Sequence, residues 1–308
     1  MILIRIDNAW MTTRRSLVGA PLLICALALS GCGVGQQSKA SADQVEVVAS
    51  FYPLQFAAEQ IGGGHVTVTS LTKPGAEPHD IELTPQDVGK VSKARLVIFQ
   101  KGLQGAVDHA VESEGGDHGF DVSPAANLDL SLASGTTDPH FWLDPQRYSD
   151  VAKVISTRLS SVDPANRADY EKNSKAFETK LTALSGEFAA GLSTCRRKEL
   201  VTSHAAFSYL ARRFGMKQIA INGLSSDQEP KAAALATVST YARANGVTTI
   251  YAETLVSPAI ASTVARESGA RLATLDPIEG LTGQSAGKDY FEVMRSNLKA
   301  LQAGQGCS

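Results

Sequence analysis

Residues 163–192 read DPANRADYEKNSKAFETKLTALSGEFAAGL. Asp163 supplies a helix cap, and Pro164 fits the first helical turn, where its missing N–H is not needed. Tyr170, Phe177, Leu181, Leu184, Phe188 and Leu192 then recur at helical spacing and mark one apolar face. A helix from Pro164 to Leu192 runs about 40 Å at 1.5 Å per residue. Gly186 weakens it locally. Such a helix is a rigid strut, so the chain on either side of it is read separately.

Before the strut, Val45 to Ser50 is strand-like. Leu54, Ala57 and Ile61 mark a helix, stopped by Gly62-Gly63-Gly64. His65 to Leu71 alternates as a second strand, a helix starts at Pro85, and Arg95 to Phe99 is a third strand. Gly102 to Thr137 is less regular. Tyr148, Val151, Ile155, Leu159 and Val162 then give an amphipathic helix. After the strut, strands are expected at Leu200–Ser203, Lys217–Ile221, Thr248–Ala252 and Arg271–Leu275, each followed by a helical pattern. Strand and helix alternate as in parallel sheets. The halves superpose in sequence at an offset of about 152 residues: Ser50 falls on Ser203, Glu77-Pro78 on Glu229-Pro230 and Phe99 on Tyr251. That periodicity indicates an internal duplication. The expected fold class is α/β, two similar lobes with parallel sheets joined by one long rigid helix. The boundaries are 45–162 for the first lobe, 163–194 for the linking helix and 195–308 for the second lobe.

The 308 residues suffice for two such lobes. Residues 1–31 read as a signal peptide. Arg14-Arg15 precede a short apolar run, Leu17 to Leu29, which ends in Leu29-Ser30-Gly31-Cys32. Small residues before a cysteine resemble a bacterial lipobox, with Cys32 lipidated as the mature N-terminus. Either Met1 or Met11 serves as the start. Residues 32–44, rich in Gly, Gln, Ser and Ala, read as a flexible tether to the membrane. Removing residues 1–31 leaves 26 basic against 30 acidic residues, a net charge of −4. There is no basic footprint for nucleic acid. Two cysteines remain, Cys195 and Cys307, an even pair that favours a disulfide outside the cytoplasm.

Three histidines sit at loop or strand ends. His79 follows Glu77-Pro78 and precedes a helix start. His140 lies in Asp138-Pro139-His140, before a helix that Asp144-Pro145 begins. His204 follows the run Leu200-Val201-Thr202-Ser203. Ligands in α/β folds bind off the carboxyl ends of strands, where His204 and Asp276 lie in the second half. With His79 and His140 on loops of the first, the four are expected to meet in one interlobe cleft.

Four motifs stand in order along the chain: Pro74-Gly75-Ala76-Glu77-Pro78-His79, then Asp138 to Pro145, then Gly223-Leu224-Ser225 through Gln228-Glu229-Pro230, then Leu275-Asp276-Pro277-Ile278. Together they resemble the zinc- and manganese-binding (cluster A-I) solute-binding lipoproteins of ABC metal-uptake transporters. The resemblance implies two α/β lobes, one long helix and a metal between them. It places the ligands at His79, His140, His204 and Asp276, with Glu253 as the alternative carboxylate. Manganese-type relatives commonly carry a carboxylate at the third position, so His204 points to the zinc subgroup. Three imidazoles and one carboxylate suit tetrahedral Zn²⁺, whereas manganese prefers more oxygen. Asp80, Asp138 and Asp144 are candidates to orient the histidines, with helix capping the expected role of Asp144. Some zinc-uptake proteins carry a His-rich loop near His109 and His118; two histidines do not make one, and both are read as solvated surface.

The implied activity is capture of one Zn²⁺ per chain, outside the cytoplasmic membrane, and delivery to an ABC permease and its ATPase. The protein is expected to be a lipid-anchored monomer and not an enzyme. A manganese- or iron-binding member of the same family is the alternative. A secreted zinc hydrolase is the rival from another class, with Glu253 as base if Asp276 does not ligate; no His-Glu-x-x-His pattern supports it. Ligand histidines must be neutral to bind, so binding is expected to weaken as pH falls through about 6.

Overall fold

The computed structural model describes residues 44–132, 135–224 and 231–308. The expected signal peptide, Cys32, the tether up to residue 43 and the Ser225–Pro230 part of the third motif lie outside the described residues. No helix of the described residues is long and apolar enough to cross a membrane.

The first half runs β1 (Val45–Ala49), α1 (Tyr52–Gly62), β2 (Val66–Ser70), α2 (Pro85–Lys93), β3 (Leu96–Phe99), α3 (Gly105–Ala110), β4 (Gly119–Asp121), α4 (Ser123–Ala126) and α5 (Pro145–Val162). A 3₁₀ turn, Pro164–Asn166, leads into the strut α6 (Arg167–Leu192). The second half runs β5 (Glu199–Thr202), α7 (Ser208–Arg213), β6 (Lys217–Ala220), α8 (Ala232–Ala244), β7 (Thr249–Ala252), α9 (Ala259–Ser268), β8 (Arg271–Thr274) and α10 (Tyr290–Gln305).

Each half forms one four-stranded parallel sheet, in the order β2-β1-β3-β4 and β6-β5-β7-β8. Both sheets have buried central strands, as parallel sheets require. Val47 and Ala49 of β1 and Leu96 and Ile98 of β3 face a central core, while Val48, Val97 and Phe99 join an outer layer with Val91 of α2 and Val107 of α3. In the second half Leu200 and Tyr251 face the same central core, and Val201, Ile250 and Ala252 pack outward with Val238 and Val264. The central core is therefore shared by both halves, and the buried face of α6 runs through it (Tyr170, Phe177, Leu181, Leu184, Phe188, Leu192).

The duplication is visible in the strands: β1, β2, β3 and β4 begin 154, 151, 153 and 152 residues before β5, β6, β7 and β8. The stretch Gly102 to Thr137, less regular in its sequence pattern, holds α3, β4 and α4. Strand β4 is only three residues, Gly-Phe-Asp, too short to show alternation. Cys195 and Cys307 form a disulfide spanning 112 residues. It joins the chain just after α6 to the chain just after α10.

Candidate metal centre

The local chemistry of Asp-Pro sets three of the loops around the site. Proline fixes its own φ, and an aspartate before it can accept from the N–H two residues on. Asp138 Oδ1 accepts from the His140 N–H at 3.0 Å, Asp144 Oδ1 from Gln146 at 3.0 Å, and Asp276 Oδ1 from Ile278 at 2.8 Å. The first turn presents His140, and the second caps α5. The third holds Ile278, which has φ +57°, and the next residue, Glu279, joins the cluster.

His79 comes from the β2–α2 loop, His140 from the segment before α5, His204 from the end of β5, and Glu279 from the loop after β8. One ligand atom of each lies within 4.8 Å of all the others. His79 Nε2 is 3.2 Å from His140 Nε2. Glu279 Oε1 is 3.0 Å from His140 Nε2, 3.3 Å from His204 Nε2 and 3.4 Å from His79 Nε2. A tetrahedron with bonds of about 2.0–2.1 Å to a central zinc has edges of about 3.3 Å. These four separations match that figure. His140, His204 and Glu279 are buried, and the His79 side chain keeps 9% exposure. His204 Nε2 and Glu279 Oε2 are buried and make no hydrogen bond among the described residues.

Two carboxylates fix the tautomers. Asp138 Oδ1 accepts from His140 Nδ1 at 2.8 Å, and Glu253 Oε1 accepts from His204 Nδ1 at 2.6 Å. With the proton on Nδ1, a neutral imidazole turns its Nε2 lone pair to the centre. Two such lone pairs and His79 Nε2 around one carboxylate oxygen are an incomplete arrangement, which a cation or protons must complete. Burial works against protonating His140, but Asp138 and Glu279 outweigh it and raise its pKa above the usual histidine value. His204 is raised well above that value, with Glu253 and then Glu279 overcoming burial. Burial also disfavours ionised Glu279, yet the imidazoles of His140, His204 and His79 around it hold it well below the usual carboxylate range.

The structure thus gathers His79, His140 and His204 as expected, and departs from expectation at the fourth position. Asp276 is not in the group. Its Oδ1 is taken by the turn it forms, and its backbone N–H and C=O are both bonded to Asn297, at 2.9 and 2.7 Å. Burial raises the Asp276 pKa. Glu253 is also outside the group and acts on the far nitrogen of His204. Glu279 was missed. Its signal was present, because an aspartate before proline is a turn-former and the next acid beyond that turn is the free donor. Asp144 caps α5 and pairs with Arg213. Asp80 is exposed beside His79, and His109 is exposed on α3.

Two parallel-sheet lobes on one strut, with a buried three-histidine, one-carboxylate cluster between them, define a two-lobed metal-binding protein. Residues 47–304 match the family described as "Zinc-uptake complex component A periplasmic", and the chain belongs to that family. It is 35% identical over 300 residues to the high-affinity zinc uptake system protein ZnuA of Bacillus subtilis, covering 90% of this chain and 94% of that one. It is 34% identical over 305 residues to the zinc-binding lipoprotein AdcA of Streptococcus pneumoniae, covering 91% of this chain and spanning 59% of that longer protein. The crystal structure of the Zn(II)-bound ZnuA-like domain of S. pneumoniae AdcA superposes with a TM-score of 0.73 at 35% identity, over 85% of this chain and 99% of that one.

Proposed function

We propose that the chain is the extracytoplasmic zinc-binding component of a zinc-uptake system. It takes one Zn²⁺ between its lobes through His79, His140, His204 and Glu279, and hands it to an ABC permease driven by its ATPase. The observation that carries this reading is the set of 3.0–3.4 Å separations among four buried or nearly buried donor atoms. Membership of the zinc-uptake family supports the same cargo. An N₃O donor set favours zinc over manganese, which prefers oxygen-rich sites.

The chain works by capture and delivery. A catalytic zinc keeps an open position for water and a free base beside it. Here four protein donors close the tetrahedron, and the nearby carboxylates Asp138 and Glu253 each hold a histidine. We further propose that residues 1–31 are a signal peptide, that Cys32 carries the lipid, that residues 32–44 tether the protein to the membrane, and that it acts as a monomer. The lobes divide at 45–162 and 195–308, with 163–194 between them.

Equilibrium titration of the zinc-free protein with Zn²⁺ and Mn²⁺ tests the reading. One zinc per chain, bound in preference to manganese, is the expected result. Tighter manganese binding, or no stoichiometric zinc, overturns it.

A further inference from the structure

None of the three histidines sits inside a helix or strand, so the backbone carrying each must be held by something else. Each is held by a glutamine. Gln104, 1% exposed, donates through Nε2 to the carbonyl of Pro78, the residue before His79, at 3.1 Å, and to Thr72 Oγ1 at 2.9 Å. Gln100, 2% exposed, donates through Nε2 to the carbonyl of Pro139, the residue before His140, at 2.8 Å. Gln218 donates through Nε2 to the carbonyl of His204 itself at 3.0 Å, and to Thr202 Oγ1 at 2.7 Å.

Two of these clamps share one design. Gln104 and Gln218 each bridge a threonine hydroxyl and a ligand-bearing backbone, and each threonine is in turn bonded to a backbone carbonyl: Thr72 to Ser50 at 2.8 Å, Thr202 to His204 at 2.7 Å. Gln104 and Gln218 are not related by the 152-residue offset, so the device is not a by-product of the duplication. A carbonyl only accepts, so the nitrogen end of each carboxamide must face it. The oxygen ends of Gln100 and Gln104 are buried without a hydrogen bond among the described residues. An apolar side chain would fill these two positions with no polar atom to satisfy. The donor is the feature that an apolar residue lacks.

The geometry points to Gln100, Gln104 and Gln218 as positioning residues, one per histidine, that preset the backbone of His140, His79 and His204 for a tetrahedral ion. The inference rests on the zinc-binding reading above. A ligand atom displaced by a fraction of an ångström leaves a site able to bind but quick to release, because outer contacts of this kind set metal affinity by about 10- to 100-fold.

The test uses Gln100→Met, Gln104→Met and Gln218→Met, since methionine keeps the length and loses the donor. Gln305→Met is the control. Gln305 is buried and makes the same type of bond, Nε2 to the Glu199 carbonyl at 2.7 Å, but at the amino end of β5, the opposite end from His204. Zinc release is followed with a competing chelator, and the Co²⁺-loaded proteins are compared by visible absorption. Each of the three clamp variants is expected to release zinc about tenfold faster and to show an altered Co²⁺ band. Their zinc-free forms are expected to exchange the backbone amides around the affected histidine faster. The control is expected to lower Tm with zinc release unchanged. Gln104→Asn, a shorter carboxamide that cannot span Thr72 and Pro78, is expected to match Gln104→Met and serves where that variant does not fold. Wild-type release rates and Co²⁺ spectra in all three clamp variants overturn the inference, as does equal acceleration in Gln305→Met. A wild-type protein that takes up no zinc overturns the transport reading instead, so the two failures are told apart.

Discussion

At the residue scale the fourth donor is chosen by position, because Glu279 is the carboxylate that lies within reach of all three imidazoles among the described residues. Asp276 accepts the Ile278 N–H, a job asparagine performs equally well. Its raised pKa further lowers the cost of replacing it by a neutral isostere. Asp276→Asn is therefore expected to bind zinc within a few-fold of wild type. Glu279→Gln removes the only carboxylate in the group. Outer-shell losses already reach about 100-fold, so a weakening of at least that order is expected. A competitive zinc titration of the two variants side by side decides it, and the reverse ranking would return Asp276 to the site. The same cluster sets the pH response. His140 and His204 are raised above the usual value of about 6.5. Protons therefore compete with zinc at higher pH than the window around 6 expected for unperturbed histidines. Zinc affinity should already be falling as pH drops through the region above 6.5. For the zinc-free protein the sign is opposite. The raised histidines contribute stability that is complete below about 6.5 and is lost as pH rises through their folded values. The depressed Glu279 contributes above about 4.3 and loses its share as pH falls through its own lowered value. Melting curves with and without zinc from pH 5.5 to 8.5 check both signs: the zinc-induced gain in Tm should widen as pH rises.

At the scale of elements, the parts most legible in the sequence were those with strong period and clear stops. The four strands of the second half were expected within one residue of where they lie, because β-branched and apolar runs there are bounded by glycine or by a histidine or aspartate at the strand end. The strut was legible from a single apolar face ending at Leu192. Its first turn, Pro164–Asn166, is 3₁₀. Strand β4 was not legible, since three residues carry no period and its place is set by pairing with β3. The three clustered histidines were legible through their loop-end settings. Glu279 was legible only in part: Asp276-Pro277 marks the turn before it, but no glycine marks the positive φ at Ile278 that precedes it. The glutamine clamps were hidden, as no spacing links Gln104 to Pro78 or Gln100 to Pro139. The disulfide is an element-level device with a measurable share of stability. Closing 112 residues corresponds to roughly 4–5 kcal/mol in the chain-entropy model, with measured cases often lower. Cys195→Ser/Cys307→Ser is expected to lower Tm by about 10 °C. Zinc affinity should stay near wild type, because the bond joins the ends of α6 and α10 rather than any ligand loop. Calorimetry and a zinc titration on the same sample separate these two effects.

At the scale of the whole molecule the two sheets share one core and are expected to move as one body. The described residues form one compact unit, and α10, which follows the second sheet in sequence, packs across onto the first half. Tyr290 lies 4.8 Å from Tyr148 and Phe291 6.0 Å from Phe56, ring centre to ring centre. The Tyr290 hydroxyl donates to the Trp142 carbonyl at 2.6 Å, and Trp142 Nε1 donates to the Pro277 carbonyl at 2.8 Å. Arg295 of α10 grips Glu187 of the strut through two bonds of 2.8 and 2.9 Å. Opening the cleft widely would expose this aromatic layer, so zinc exchange is expected to proceed by local movement of the ligand loops. His79 is the natural starting point as the one ligand that keeps solvent exposure. Two outcomes follow. Thermal unfolding of the zinc-free protein should be a single transition, and zinc at about 1,000 times its Kd should raise stability by about 4 kcal/mol, a Tm gain of roughly 10 °C. Small-angle scattering should give radii of gyration that agree within about 1 Å with and without zinc, the scale of change in preorganised complexes. Two separate transitions, or a clearly larger radius in the zinc-free protein, would mean that the shared core does not hold the lobes and that zinc itself is the clasp.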